Sequence, residues 1–138
     1  MKKISALFIA SLLISSIFFS ACNCYAAAME VTSIKTAIGI DEKLLPVKPI
    51  SNFATGTAKV FCWFQWKKAE LNTQIIARWY YLEGNIHVLD YTFSIPRKEG
   101  MGSVSLSMPP NKVLPSGEYR VDLTLENKLL KSVKFKIS

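Results

Sequence analysis

The feature that most constrains the fold is a two-residue alternation of apolar and polar side chains through most of the chain after residue 30. Residues two apart lie on one face of a β-strand, whereas a helix repeats every 3.6 residues. The clearest run is Tyr119–Glu126, in which apolar and polar residues alternate without interruption. Similar runs occur at Ala58–Trp66, Ile75–Tyr81, Leu89–Ile95, Val104–Met108 and Leu129–Ile137, and a further strand is expected over Val31–Ile38. No segment after residue 28 shows a helical period, so the sequence predicts an all-β domain.

Turn residues separate these runs and indicate how the strands are connected. Gly and Asn at Glu83–Asn85, Glu99–Gly102 and Asn127–Lys128 predict chain reversals, since both residues tolerate turn conformations. Pro46 and Pro49 are expected to keep their segment out of a central strand, because proline has no backbone donor. About seven short antiparallel strands in about 110 residues are typical of a two-sheet β-sandwich.

Two aromatic residues favour an immunoglobulin-like arrangement of that sandwich. Trp79 lies mid-strand, where such sandwiches bury a tryptophan between their sheets. Tyr119 follows Ser116-Gly117-Glu118 at the start of a late strand, which is the position of a tyrosine corner. The disulfide of antibody domains is excluded, because Cys62 has no counterpart on the Tyr119 strand.

Residues 1–28 have the composition of a cleaved export signal. Lys2 and Lys3 precede the uncharged and mostly apolar run Ile4–Phe19, and the small residues Ala26–Ala28 follow it. We therefore expect a signal peptide over 1–28 and one immunoglobulin-like domain over 29–138, since about 110 residues enclose a single core. The mature domain is expected to be periplasmic or secreted.

A second processing route remains open at Cys22. The segment Phe19–Cys22 loosely fits the sequence that precedes a lipidated cysteine, and a lipid there anchors the domain to a membrane. Strand-like sequence begins at Val31, which leaves a short tether and favours cleavage after Ala28. In the lipidated form, Cys24 and Cys62 are a candidate disulfide pair.

The residues that carry chemistry do not form a catalytic or metal-binding pattern. Cleavage after Ala28 leaves Cys62 as the only cysteine, and its place in an apolar strand favours a buried, unreactive thiol. His87 is the only histidine, and the cysteines have no zinc-ligand spacing. We therefore expect neither enzymatic activity nor a cofactor nor a metal.

Charge narrows the choice of partners. The chain after residue 28 has 15 basic and 10 acidic side chains, a net charge of +5, which favours anionic neighbours. The lysines are dispersed and do not form a nucleic-acid patch, so no nucleic acid is expected. Four lysines lie near the last strand, where lysines typically protect an edge from pairing with another chain: Lys128, Lys131, Lys134 and Lys136.

A surplus of aromatic residues gives the candidate binding site. If the alternate residues of Ala58–Trp66 face the core, the intervening aromatic side chains project outward, and polar residues flank them. Such a platform suits a sugar ring or a protein contact. The predicted binding residues are Phe61, Trp63 and Gln65, together with Arg78 and Tyr80, which are expected to project beside them from a neighbouring strand. The alternative is that the N-terminal segment or the loop around Leu44–Phe53 covers this face.

The order of several short segments resembles a family of small bacterial envelope-associated domains of unknown function, which are expected to be immunoglobulin-like sandwiches. The resemblance depends on Thr36–Ile38, Leu45–Val47, Val60–Phe64, Arg78–Tyr81, Gly117–Val121 and Phe135–Ile137. It covers nearly all of residues 31–138, but most of these are packing residues and imply no catalytic group.

These observations together predict a non-catalytic binding or adaptor domain of the bacterial envelope that contacts another protein. The alternative is a carbohydrate or cell-wall binding module that uses the aromatic face. Membrane contact is expected only through a lipid on Cys22.

Overall fold

The computed structural model describes residues 29–138, which form nine β-strands and no helix. The strands are β1 (Glu30–Ile40), β2 (Pro46–Pro49), β3 (Asn52–Phe53), β4 (Lys59–Lys67), β5 (Gln74–Tyr81), β6 (Ile86–Ser94), β7 (Gly100–Ser107), β8 (Gly117–Leu125) and β9 (Lys128–Ile137). The export signal and Cys22 lie outside the described residues, so both remain predictions.

The strands form two sheets, as the alternation predicts. Sheet A has the order β2-β1-β4-β7, and sheet B has the order β3-β9-β8-β5-β6. All pairs are antiparallel except β3 with β9, because the chain crosses from sheet A to sheet B at Ile50–Ser51. Two strands exceed the expected seven: the short edge strand β2, which contains Pro46 and Pro49, and the two-residue edge strand β3. Edge strands are where proline is tolerated.

The core lies between the sheets and is built from the alternate residues that the sequence predicts to face inward. On β4, Val60, Cys62, Phe64 and Trp66 are buried. They face the buried side chains of β5, β8 and β9, which include Trp79 and Phe135. Trp79 is fully buried and packs edge-on against Phe135, with ring centroids 6.0 Å apart.

A tyrosine corner is present at the predicted position. The Tyr119 hydroxyl donates a hydrogen bond to the Pro115 carbonyl, with an O–O distance of 2.6 Å. The Tyr81 hydroxyl makes a matching bond to the Ser116 carbonyl, also at 2.6 Å. Burial raises the pKa of Tyr119 to about 12, and the nearby Tyr81 and Glu83 add to that effect. The corner therefore fixes the chain just before β8.

Two predicted turns are displaced. The segment Glu99–Gly102 does not reverse the chain, since β7 already begins at Gly100. Gly102 is needed inside the strand because the Phe93 ring lies over it: a Cβ atom there would be 2.6 Å from Phe93 Cζ. The last hairpin turns at Glu126–Asn127, both with positive φ, one residue before the predicted Asn127–Lys128.

Candidate functional site

The outer face of sheet A holds the predicted residues of β4. Phe61, Trp63 and Gln65 point away from the core, since they alternate with its buried residues. Trp63 is nevertheless only 5% exposed, because its indole N–H donates a hydrogen bond to the Leu44 carbonyl at 2.7 Å. The β1–β2 connection therefore covers this indole, as the alternative interpretation of the sequence proposed.

The rest of that face is also partly covered. The Lys59 ammonium lies 4.8 Å from the centre of the Phe61 ring, within the range of a cation–π contact. Phe61 is half-buried and Gln65 is exposed. No open pair of aromatic rings is thus available on β4 for stacking a sugar.

The outer face of sheet B holds Arg78 and Tyr80 on β5. The Arg120 guanidinium lies 4.6 Å above the Tyr80 ring, and the His87 ring centre is 5.4 Å from it. These contacts occupy the Tyr80 ring. The Arg78 guanidinium donates a hydrogen bond to Asn127 Oδ1 at 3.2 Å.

Two hydrogen-bonded side-chain pairs flank Arg78 on the neighbouring strands. Arg120 Nε lies 2.9 Å from Asp122 Oδ1, and His87 Nε2 lies 2.7 Å from Asp90 Oδ1. Asp90 and Asp122 are the cross-strand partners of Arg78 in register, yet each carboxylate binds another residue. These side chains pair with one another, whereas Arg78 Nε is buried with no hydrogen-bond partner within residues 29–138.

The prediction that all five residues form one platform is wrong. Phe61, Trp63 and Gln65 belong to sheet A, whereas Arg78 and Tyr80 belong to sheet B. Strands that are consecutive in sequence were expected to be neighbours, but the chain crosses between the sheets after β4. The two groups consequently lie on opposite outer faces of the sandwich.

A different surface, the free edge of sheet B, stands out in the structure. It is formed by β6, which pairs with no strand of residues 29–138 other than β5. Ile86, Val88, Leu89 and Tyr91 on this strand are exposed. Leu89 and Tyr91 lie on the core-facing side, opposite Trp79 and Ala77, but remain 40% and 49% exposed. The alternation puts them on one face with the buried Ile95, but they are exposed because sheet A does not extend over them.

Sequence reasoning missed this edge because alternation alone does not distinguish a covered strand from an uncovered one. A signal was present in composition: Ile86–Ser94 contains neither lysine nor proline, the residues that usually protect edges. The last strand, by contrast, carries four lysines.

The potential reactive groups Cys62 and His87 lie on different sheets. Cys62 is fully buried on β4, and burial raises the pKa of its thiol to about 12, so the thiol stays protonated at neutral pH. His87 is exposed on the outer face of sheet B. Within residues 29–138, no three His, Cys, Asp or Glu side chains are grouped so as to hold a metal ion. The same residues contain no helix long and apolar enough to span a bilayer.

Comparison with known proteins identifies the fold. No family model matches the sequence, and no curated protein matches it. The structure is similar to an immunoglobulin-like protein from Pseudomonas aeruginosa, with a TM-score of 0.55 and 12% identity over 83% of this chain and 100% of that one. It is also similar to part of a Pseudomonas fluorescens alkylpurine DNA glycosylase, with a TM-score of 0.51 and 9% identity; the match covers 83% of this chain and 31% of the glycosylase.

A third similar structure is a Niemann-Pick type C2 protein from the Japanese carpenter ant, with a TM-score of 0.46 and 12% identity over 83% of this chain and 96% of that one. The first two similarities, at 12% and 9% identity, indicate shared architecture alone. The domain is an immunoglobulin-like β-sandwich.

Proposed function

We propose that this protein is a non-catalytic binding domain of the bacterial cell envelope that holds an extended segment of another protein along β6. The observation that carries the proposal is the outer edge of this nine-residue strand, which is unpaired within residues 29–138 and has four large apolar side chains exposed. The signal-like composition of residues 1–28 supports the proposed envelope location.

The other outer strands are less suited to strand addition. β2 has four residues with a proline at each end, and β3 has only two residues. The outer side of β9 pairs only with Asn52 and Phe53 among the described residues, so most of that edge is open. The lysines of β9 nevertheless discourage another strand from pairing there. β7 has no lysine or proline, yet its side chains are small or mostly buried and offer little contact area.

The chemistry of the bound segment follows from the two faces of β6. Its core-facing side presents Ile86, Leu89 and Tyr91, whereas its outer side presents His87 and Asp90. A strand added here continues both faces, because side chains alternate along it. We therefore expect a segment with alternate apolar residues, and polar or basic residues between them next to Asp90.

The carbohydrate hypothesis has less support in this geometry. Trp63 is covered by the Leu44 carbonyl and Tyr80 by the Arg120 guanidinium. A sugar would have to displace these contacts before stacking on either ring.

Crosslinking in native cells tests the proposal. A photoreactive residue at position 88 is expected to capture one partner protein, whereas the same residue at position 129, on the lysine-rich β9, is not. Val88→Lys/Tyr91→Lys is expected to abolish co-purification of the partner protein. Val113→Lys/Leu129→Lys is the matched control, because all four side chains are exposed, and it is expected to retain the partner. Equal capture at both positions, or a partner retained by the β6 variant, would contradict a site on this edge.

A further inference from the structure

We infer that β6 pairs with β6 of a second copy of this chain when no partner protein occupies it, so that self-pairing regulates the proposed site. This inference rests on the proposed function, since it concerns the same open edge. Within residues 29–138 the outer side of β6 is unpaired, and Ile86, Val88, Leu89 and Tyr91 are exposed on it. Such an edge pairs readily with another chain unless lysine, proline or a covering segment prevents it.

The side of the sandwich that contains this edge carries little charge. β6 contacts β7, so these two strands form the edges of the two sheets on one side. Their sequences contain no lysine, arginine or glutamate and a single aspartate, Asp90. The lysines of β2 and β9 lie on the opposite side, where β1 contacts β9. A chain with a net charge of +5 after residue 28 repels a second copy over most of its surface, but not where two such sides meet.

The shape of β6 restricts how two copies can pair. A bulge leaves Val88 without a cross-strand partner on β5, so the regular part of β6 is residues 89–94. In an antiparallel pair, residues directly opposite each other point to the same face of the sheet. A two-fold axis between two identical regular strands must therefore pass through a residue and not between two residues.

One position of the axis satisfies charge and overlap together. An axis at Asp90 would place the two Asp90 carboxylates opposite each other, which is destabilising. An axis at Thr92 would pair only residues 90–94. An axis at Tyr91 separates the carboxylates and pairs residues 88–94, so we assign the pairing to this register.

This register brings the exposed apolar side chains of both copies together. Tyr91 lies beside Tyr91 of the second copy, and Leu89 lies opposite Phe93 of the second copy, all on the core-facing side. Leu89 and Tyr91 are 40% and 49% exposed in the single chain, so this contact removes apolar surface from water. On the outer side, Thr92 lies opposite Asp90 of the second copy, and a hydroxyl is a suitable donor to a carboxylate. The edge is therefore complementary to itself.

The small size of the contact makes the dimer reversible. A pairing of about seven residues is about 23 Å long and a sheet edge is about 10 Å thick, so each copy covers on the order of 250 Å². Stable complexes cover about 800 Å² per partner. A partner segment that contacts more of the surface therefore displaces the second copy. Two-fold pairing also uses both β6 edges, so association stops at a dimer.

Analytical ultracentrifugation of the purified protein tests this inference. A Cys22→Ser/Cys24→Ser background removes a possible lipid anchor and leaves the buried Cys62 as the only cysteine. The weight-average mass is expected to rise from that of a monomer toward that of a dimer between about 10 µM and about 1 mM. Val88→Lys/Tyr91→Lys should stay monomeric, because it places lysines at the axis. Val113→Lys/Leu129→Lys adds the same charge at other exposed positions and should associate as the parent does.

Cysteine crosslinking tests the register. Oxidation by diamide should link Tyr91→Cys into a covalent dimer, because the two thiols meet at the axis. Leu129→Cys, at a side chain that is at least as exposed, should remain monomeric. A monomeric mass over the whole concentration range, or equal crosslinking at positions 91 and 129, would overturn the inference.

Failure of self-pairing is distinguishable from failure of the proposed function. If the purified protein dimerises but position 88 captures no other protein in cells, self-pairing stands and the partner proposal fails. If position 88 captures a partner protein but the purified chain stays monomeric, self-pairing fails and the partner proposal stands. When both hold, adding the captured partner should dissociate the dimer, and a dimer that persists with the partner bound would contradict competition for β6.

Discussion

Replacing Gly117 by alanine should destabilise the domain through two separate effects. Gly117 has a φ of +139°, a conformation that residues with a Cβ atom rarely adopt. A Cβ atom here would also lie 2.8 Å from both Tyr81 Cε1 and the Tyr81 hydroxyl, and against the Glu83 carboxylate. The backbone effect is about 1–2 kcal/mol, and crowding in a packed corner adds about 1–3 kcal/mol. We expect a total loss of about 3 kcal/mol in the free energy of unfolding.

Gly56 provides the matched control for the backbone effect. Its φ is +102°, but a Cβ atom there would have no other atom within 4 Å. Gly56→Ala should therefore cost only about 1–2 kcal/mol. Both substitutions restrict the unfolded chain equally, so that contribution cancels in their difference. The difference isolates the crowding against Tyr81.

Equilibrium unfolding in urea gives both free energies. A Tyr81→Leu background should reduce the extra cost of Gly117→Ala, because the ring that crowds the new methyl group is gone. Equal costs for the two glycines would refute the claim that the tyrosine corner depends on this close approach. An extra cost that persists unchanged without Tyr81 would also refute it.

Three further predictions concern stability. Tyr119→Phe removes the donor to the Pro115 carbonyl and should lower the free energy of unfolding by about 1–2 kcal/mol, measured by urea denaturation; no loss would show that the bond is dispensable. Burial raises the pKa of Cys62 to about 12 in the folded protein, from an ordinary value of 9.0. The stability that the buried neutral thiol contributes is therefore fully present below pH 9 and is lost as the pH rises toward 12. Relative to Cys62→Ala, the wild type should lose about 2.5 kcal/mol between pH 8 and pH 11, and parallel pH profiles would contradict the assignment. Gly102→Ala should cost about 1–2 kcal/mol by displacing Phe93, and less in a Phe93→Leu background; an unchanged cost in that double-mutant cycle would exclude the contact.

The sequence predicts the sandwich because the alternation within each strand indicates which of its two faces is buried. The alternation alone identifies the inward residues of β4, β5 and β8. Tyr119 adds a local signal, since its hydroxyl bonds to the carbonyl of Pro115, only four residues earlier. Such signals depend on residues close together in the sequence, so they can be recognised without knowing how the strands are arranged in the two sheets.

The candidate site is less predictable because it depends on which strands become neighbours. The sequences of β4 and β5 do not indicate that the chain changes sheets between them. The prediction that Trp63 and Tyr80 share one surface was therefore wrong. The burial of Trp63 depends on a bond to Leu44, which is 19 residues away. Likewise, the exposure of Leu89 and Tyr91 reflects where sheet A ends, not their own sequence.

Amide hydrogen exchange of the complex tests the central claim most directly. The protein captured through position 88 is purified with its partner, and exchange is compared with that of the free domain. Strand addition at the free edge should slow exchange in Ile86–Ser94, because the outward backbone N–H groups of β6 gain acceptors, and should leave β7 and β9 unchanged. Protection confined to another surface, with β6 exchanging as in the free protein, would contradict binding at this edge.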